Sequence, residues 1–173
     1  MLPLVDHLGF YALYLFVDAL AVPLASTLYV AYMGSRHAPL LVAGIAAAAT
    51  TAGSIAQYLI VRWLIVHPAL QWPWLVKLRA RIVAAVGSGG NATFWALFVI
   101  YATPLGAGPM RLVAAVAGYP LARFAGAILL GSVPFYIAVA YLGNVIRLPL
   151  WAYGAMIVAM IVFMVVAFRM RRG

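Results

Sequence analysis

Residues 92–118 read ATFWALFVIYATPLGAGPMRLVAAVAG, two apolar limbs joined through Thr103-Pro104-Leu105-Gly106-Ala107-Gly108-Pro109. Proline removes a backbone donor and clashes with the preceding turn, and the glycines relax the chain further, so a helix breaks here. Each limb is about 10–14 residues, or about 15–21 Å as helix, against a hydrocarbon core of about 30 Å. Neither limb crosses a bilayer alone. The segment is one irregular span or a re-entrant hairpin that dips in and returns.

The same pattern occurs earlier, at residues 8–34. There an apolar run is broken at Pro23-Leu24, resumes, and closes at Gly34 and Pro39-Leu40; the later copy has Pro104-Leu105, Gly118 and Pro120-Leu121. A long apolar stretch follows each copy, 38–66 and 120–146, and each carries a Gly-Ser pair, Gly53-Ser54 and Gly131-Ser132. A further apolar run, 149–168, ends in Arg169, Arg171 and Arg172. Between the halves, residues 72–86 mix Trp72 and Trp74 with Lys77, Arg79 and Arg81, as an interfacial helix does, and a Gly-Ser-Gly-Gly turn follows. The expected architecture is all-α and membrane-integral. It has two re-entrant hairpins in inverted repeat, about three full spans and one interfacial helix, in a single domain over 1–173.

Composition supports that reading: 68% of the residues are hydrophobic and the mean hydropathy is +1.12. Eleven Lys/Arg against two Asp/Glu give a net charge of +9. These positive charges lie between apolar runs and at the C-terminus, which suits loops on an anionic membrane surface rather than nucleic acid. The absence of cysteine removes disulfides, thiolate zinc sites and thiol catalysis. Residues 1–7 lack a basic region, so no cleavable signal is expected.

Loop charge also decides between irregular span and hairpin. The terminal arginines place the C-terminus in the cytoplasm, which puts Arg147 outside and Arg123 inside. If 92–118 is a hairpin, Arg62, Lys77, Arg79 and Arg81 are cytoplasmic; if it crosses, that cluster lies outside, against the rule. The hairpin is preferred. By the same count the two hairpins enter from opposite sides of the cell membrane, the arrangement in which transporters place substrate among broken helices near the midplane.

Asp18 lies inside an apolar run, where an ionised carboxylate is costly by roughly 3 kcal/mol, and is therefore a site candidate. In the second hairpin a helix beginning near Gly108-Pro109 would aim free N–H groups at the tip, with Arg111 one turn away. Gly106 and Gly108 permit close backbone approach, so the tip suits a phosphate. An Arg111 that neutralises Asp18 instead would bring the two hairpin tips together. Across from it, Pro23, Ser26 and Thr27 offer a helix start and polar contacts. Tyr29, Tyr32 and Tyr101 are polar-tipped aromatics that either line a lipid path or pack helices. His7, His37 and His67 are too scattered for a metal site, and metal-dependent lipid-phosphate chemistry needs more than two carboxylates. No enzyme, cofactor or metal is expected.

Residues 98–143 resemble the DedA/VTT-domain (SNARE-associated) superfamily. The resemblance rests on Tyr101-Ala102-Thr103-Pro104, Ala117-Gly118, Phe124, Gly126, Leu130-Gly131-Ser132-Val133-Pro134 and Ala140-Tyr141-Leu142-Gly143. Asp18 ahead of Pro23-Leu24-Ala25-Ser26-Thr27-Leu28 and Gly34 is similar to the acidic residue and re-entrant tip of that family's first half. Membership implies paired re-entrant hairpins and movement of phospholipid or polyprenyl-phosphate lipid between leaflets. The family's usual set is two acids and two arginines. Here Asp18 matches one acid, Ser26 stands at the second, Tyr101 stands at the first arginine position, and Arg111 is displaced from the second. A small-exporter family shares a similar Pro-Leu-Gly-x-Gly hairpin.

The favoured reading is therefore a lipid transporter or scramblase. Its partners are membrane lipids held by their phosphate headgroup, and the substrate-binding candidates are Asp18, Pro23, Ser26, Thr27, Tyr101, Pro104, Gly106, Gly108 and Arg111. A small-molecule or cation exporter and a non-transporting structural membrane protein are the alternatives. Assembly as a homo-oligomer is left open.

Overall fold

The computed structural model describes residues 7–20, 26–67, 73–86, 90–103, 108–147, 151–152 and 155. These residues form seven helices and no strand: α1 (Leu8–Leu20), α2 (Ser26–Arg36), α3 (Pro39–Val66), α4 (Pro73–Val86), α5 (Asn91–Tyr101), α6 (Gly108–Ala117) and α7 (Leu121–Ile146). The fifth apolar stretch, 149–168, lies almost wholly outside the described residues. So do Pro23, Pro104 and Gly106 at the two breaks.

Local chemistry sets the helix ends. Pro39 opens α3 in its first turn, where the missing N–H has no helical partner to lose, and His67 turns extended just before Pro68. Gly118 ends α6 with φ +71°; the N–H of Tyr119 donates to the Ala114 carbonyl at 3.0 Å and that of Gly118 to Ala115 at 3.2 Å. This is a left-handed glycine cap, and Pro120 then starts α7 in a new direction. Pro134 sits inside α7, on its exposed side.

The long helices α3 and α7 are 28 and 26 residues and are apolar enough to cross a membrane. They run antiparallel, since Thr50 pairs with Tyr136 and Tyr58 with Phe124. Four shorter helices pack on this pair in a crossed pattern. The first limb of each broken segment lies on the long helix that follows it: α1 on α3, and α5 on α7. The second limb lies chiefly on the long helix of the other half: α2 on α7, and α6 on α3.

Glycines make these contacts close. Gly53 of α3 faces the Phe16 carbonyl and Ala19 of α1; Gly131 of α7 faces the Phe98 carbonyl and Tyr101 of α5. Gly34 of α2 faces the Ala140 backbone, and Gly143 of α7 faces that of Ala31. Small residues at such crossings let backbones approach where apolar burial gives no net drive, as in lipid.

Outward faces are large and apolar. Leu40, Leu59, Trp63 and Leu64 on α3, and Leu130, Leu142 and Val145 on α7, are all exposed, Val145 by 78%. In water such a surface would be an association patch; towards hydrocarbon it is the expected covering. α4 packs on α6 and turns Lys77 and Arg81, one helical turn apart, outward.

Candidate functional site

Halfway along α3, Thr50, Ser54 and Gln57 fall at i, i+4 and i+7, a polar stripe on a largely apolar helix. Each is used. The Thr50 hydroxyl shares a hydrogen bond with the Tyr136 hydroxyl at 2.9 Å, and Ser54 shares one with Tyr101 at 3.1 Å. Gln57 donates its amide N–H to the Leu20 carbonyl at 3.1 Å. Tyrosines from α5 and α7 therefore meet the same face of α3, and the last turn of α1 closes the group.

Arg111 enters from the first turn of α6. It is 3% exposed, and its Nη1 donates to the Ala19 carbonyl at 2.6 Å and, at 3.5 Å, to the Ser54 hydroxyl. Its Nε is buried and has no hydrogen-bond partner. The physical cause of this placement lies in α1. Pro23, four residues after Ala19, has no N–H to give the Ala19 carbonyl. The guanidinium of Arg111 supplies that donor from another helix, and the Gln57 amide serves the neighbouring Leu20 carbonyl. The bond from Arg111 is charge-assisted and correspondingly short.

Asp18, half-buried, precedes the captured carbonyl of Ala19. Arg111 therefore joins the Ser54–Tyr101 hydroxyl pair to α1, and Asp18 stands one residue from the carbonyl that Arg111 holds. Chemically this cluster offers a fixed cation, a carboxylate and several neutral donors in a site walled by apolar helices. Such a set can hold an anionic group through Arg111 and orient it with the hydroxyls.

Of the nine sequence candidates, Asp18, Tyr101 and Arg111 come together here. Gly108 starts α6, with open space where a side chain would stand. Ser26 and Thr27 open α2, with Thr27 exposed. Pro23, Pro104 and Gly106 lie outside the described residues. Tyr101 is 8% exposed and packs between α5 and α3. Tyr32 is buried too, stacked on Tyr29 at 6.3 Å, with Tyr11 and Tyr14 edge-on to Tyr29. These tyrosines pack helices.

Sequence reasoning overlooked Thr50, Ser54, Gln57 and Tyr136. The signal was available for the first three, since polar residues recurring at i, i+4 and i+7 within a long apolar helix mark a face turned to polar partners. Tyr136 carried no such mark. Comparison with protein-family models, curated proteins and solved structures gives no match for this chain.

Proposed function

We propose that the chain is an integral membrane lipid transporter or scramblase of the DedA/VTT kind, which moves phosphate-bearing lipid between leaflets. Residues 8–34 and 92–118 act in it as re-entrant hairpins related by an inverted repeat. The carrying observation is the crossed packing: α1 and α6 on α3, α5 and α2 on α7, with Gly53 and Gly131 in matching contacts. Two like halves packed crosswise on one pair of long helices are what a transporter repeat would give, and the buried Arg111 of the second half bonds the Ala19 carbonyl of the first. In this reading Arg111 meets the phosphate, the lipid tails remain in hydrocarbon, and the end bearing Arg62, Lys77, Arg81 and Arg123 is cytoplasmic.

Purified protein in vesicles with a leaflet-labelled phospholipid or polyprenyl phosphate tests the activity; exchange no faster than in empty vesicles would reject it. Asp18→Asn is expected to slow exchange while leaving the yield of assembled protein unchanged, because it keeps size and hydrogen-bonding capacity but removes charge. Normal exchange at every pH tested would make Asp18 structural. The topology has its own test in a chain with no native cysteine. Cysteines at Ser35 and Asn91 should react with an impermeant maleimide from opposite sides, and reaction from one side contradicts the inverted repeat.

A further inference from the structure

Arg111 belongs to the second broken segment, yet its shortest hydrogen bond goes to α1, the first limb of the other. That bond occupies the group that the proposed function assigns to phosphate. We infer that Arg111 is an interlock: a phosphate group and the Ala19 carbonyl compete for one guanidinium, and loading the site releases the end of α1. The inference rests on the phosphate role of Arg111 proposed above.

The competition follows from geometry and charge. The guanidinium is 3% exposed, so an incoming anion finds no free outer edge on it. Nη1 already serves two acceptors, Ala19 and Ser54, and Nε is buried without one. A phosphate takes an arginine best through two parallel N–H donors, and a neutral carbonyl is the weaker acceptor. End-on capture by the anion, through Nη1 and Nη2 together, would draw Nη1 from Ala19 while Gln57 stays on Leu20. The Ala19 carbonyl, which Pro23 cannot serve for want of an N–H, is then left without its donor, and this turn of α1 is free to loosen. Binding at α6 is thereby transmitted to α1 through one side chain, and the two broken segments respond together.

Accessibility of the last turn of α1 provides the readout. A cysteine replacing the half-buried Leu20 is reacted with a maleimide in detergent-solubilised protein. Arms contain dioctanoyl phosphatidic acid, inorganic phosphate, dioctanoylglycerol or no addition. Phosphatidic acid should speed labelling by about tenfold, the population change that follows loss of a charge-assisted hydrogen bond at its weak end. Dioctanoylglycerol should do nothing, and the inorganic phosphate arm shows whether the headgroup alone suffices. Arg111→Gln should label at the fast rate without lipid and gain nothing from it, with Arg111→Lys between. A cysteine at fully buried Ile128, in the other core cluster, must stay unreactive in every variant, which separates local release from unfolding.

Slow labelling in both Arg111→Gln and Arg111→Lys overturns the interlock. Labelling unmoved by phosphatidic acid that calorimetry shows to be bound overturns the competition and leaves the transport reading standing. If no phosphate compound binds, the competition falls together with the phosphate role of Arg111, and vesicle exchange then decides separately whether the chain moves lipid.

Discussion

Arg111→Ala is expected to lower lipid exchange by at least roughly tenfold, the scale of a hydrogen bond to a charged group worth about 1.5–3 kcal/mol. Two losses combine in this variant. The phosphate loses its fixed cation, and the carbonyl of the buried Ala19 loses a 2.6 Å donor. Arg111→Lys restores the charge but not the planar fork, so exchange should recover only in part. Arg123→Ala is the control. Arg123 is exposed in the first turn of α7, and its removal should alter exchange little. Vesicle exchange measured at equal amounts of reconstituted protein checks the series. Full activity in Arg111→Ala would remove Arg111 from the transport path.

A methyl group added at Gly143 is the largest expected structural lesion. A Cβ there would overlap the carbonyl oxygen of Ala31, a backbone atom that no rotamer change can withdraw. Gly143→Ala must therefore push α2 off α7, at a cost of about 3 kcal/mol, the upper part of the usual range for overpacking. Gly126→Ala makes the same chemical change in the same helix, where nothing stands within 4 Å of the added carbon. It should be neutral or stabilising by about 0.5–1 kcal/mol, since alanine favours helix over glycine. Thermal unfolding in detergent compares the two, and equal midpoints would contradict the close crossing. The matching contact at Gly53 predicts that Gly53→Ala behaves like Gly143→Ala, through the Phe16 carbonyl.

These glycines illustrate how far sequence reading extends. Gly53 and Gly131 were visible as repeated marks after each broken segment, because a repeat in sequence survives as a repeat in packing. Gly143 and Gly34 could be seen as small residues, but their contact with each other's helices joins positions more than a hundred residues apart. No period or propensity encodes such a pairing.

The sequence by itself determined the helices and their ends. Apolar runs, Pro39, Gly118 and Pro120 act within a turn or two of where they stand, and backbone hydrogen bonding is local in a helix. It also determined that Asp18 and Arg111 are costly residues in apolar surroundings and so require a reason. The tertiary structure alone decided what Arg111 touches. A carbonyl at the end of α1 looks like any other in the sequence; only the crossed packing of α1 and α6 on α3 brings that unpaired acceptor to a buried guanidinium, 92 residues further along the chain.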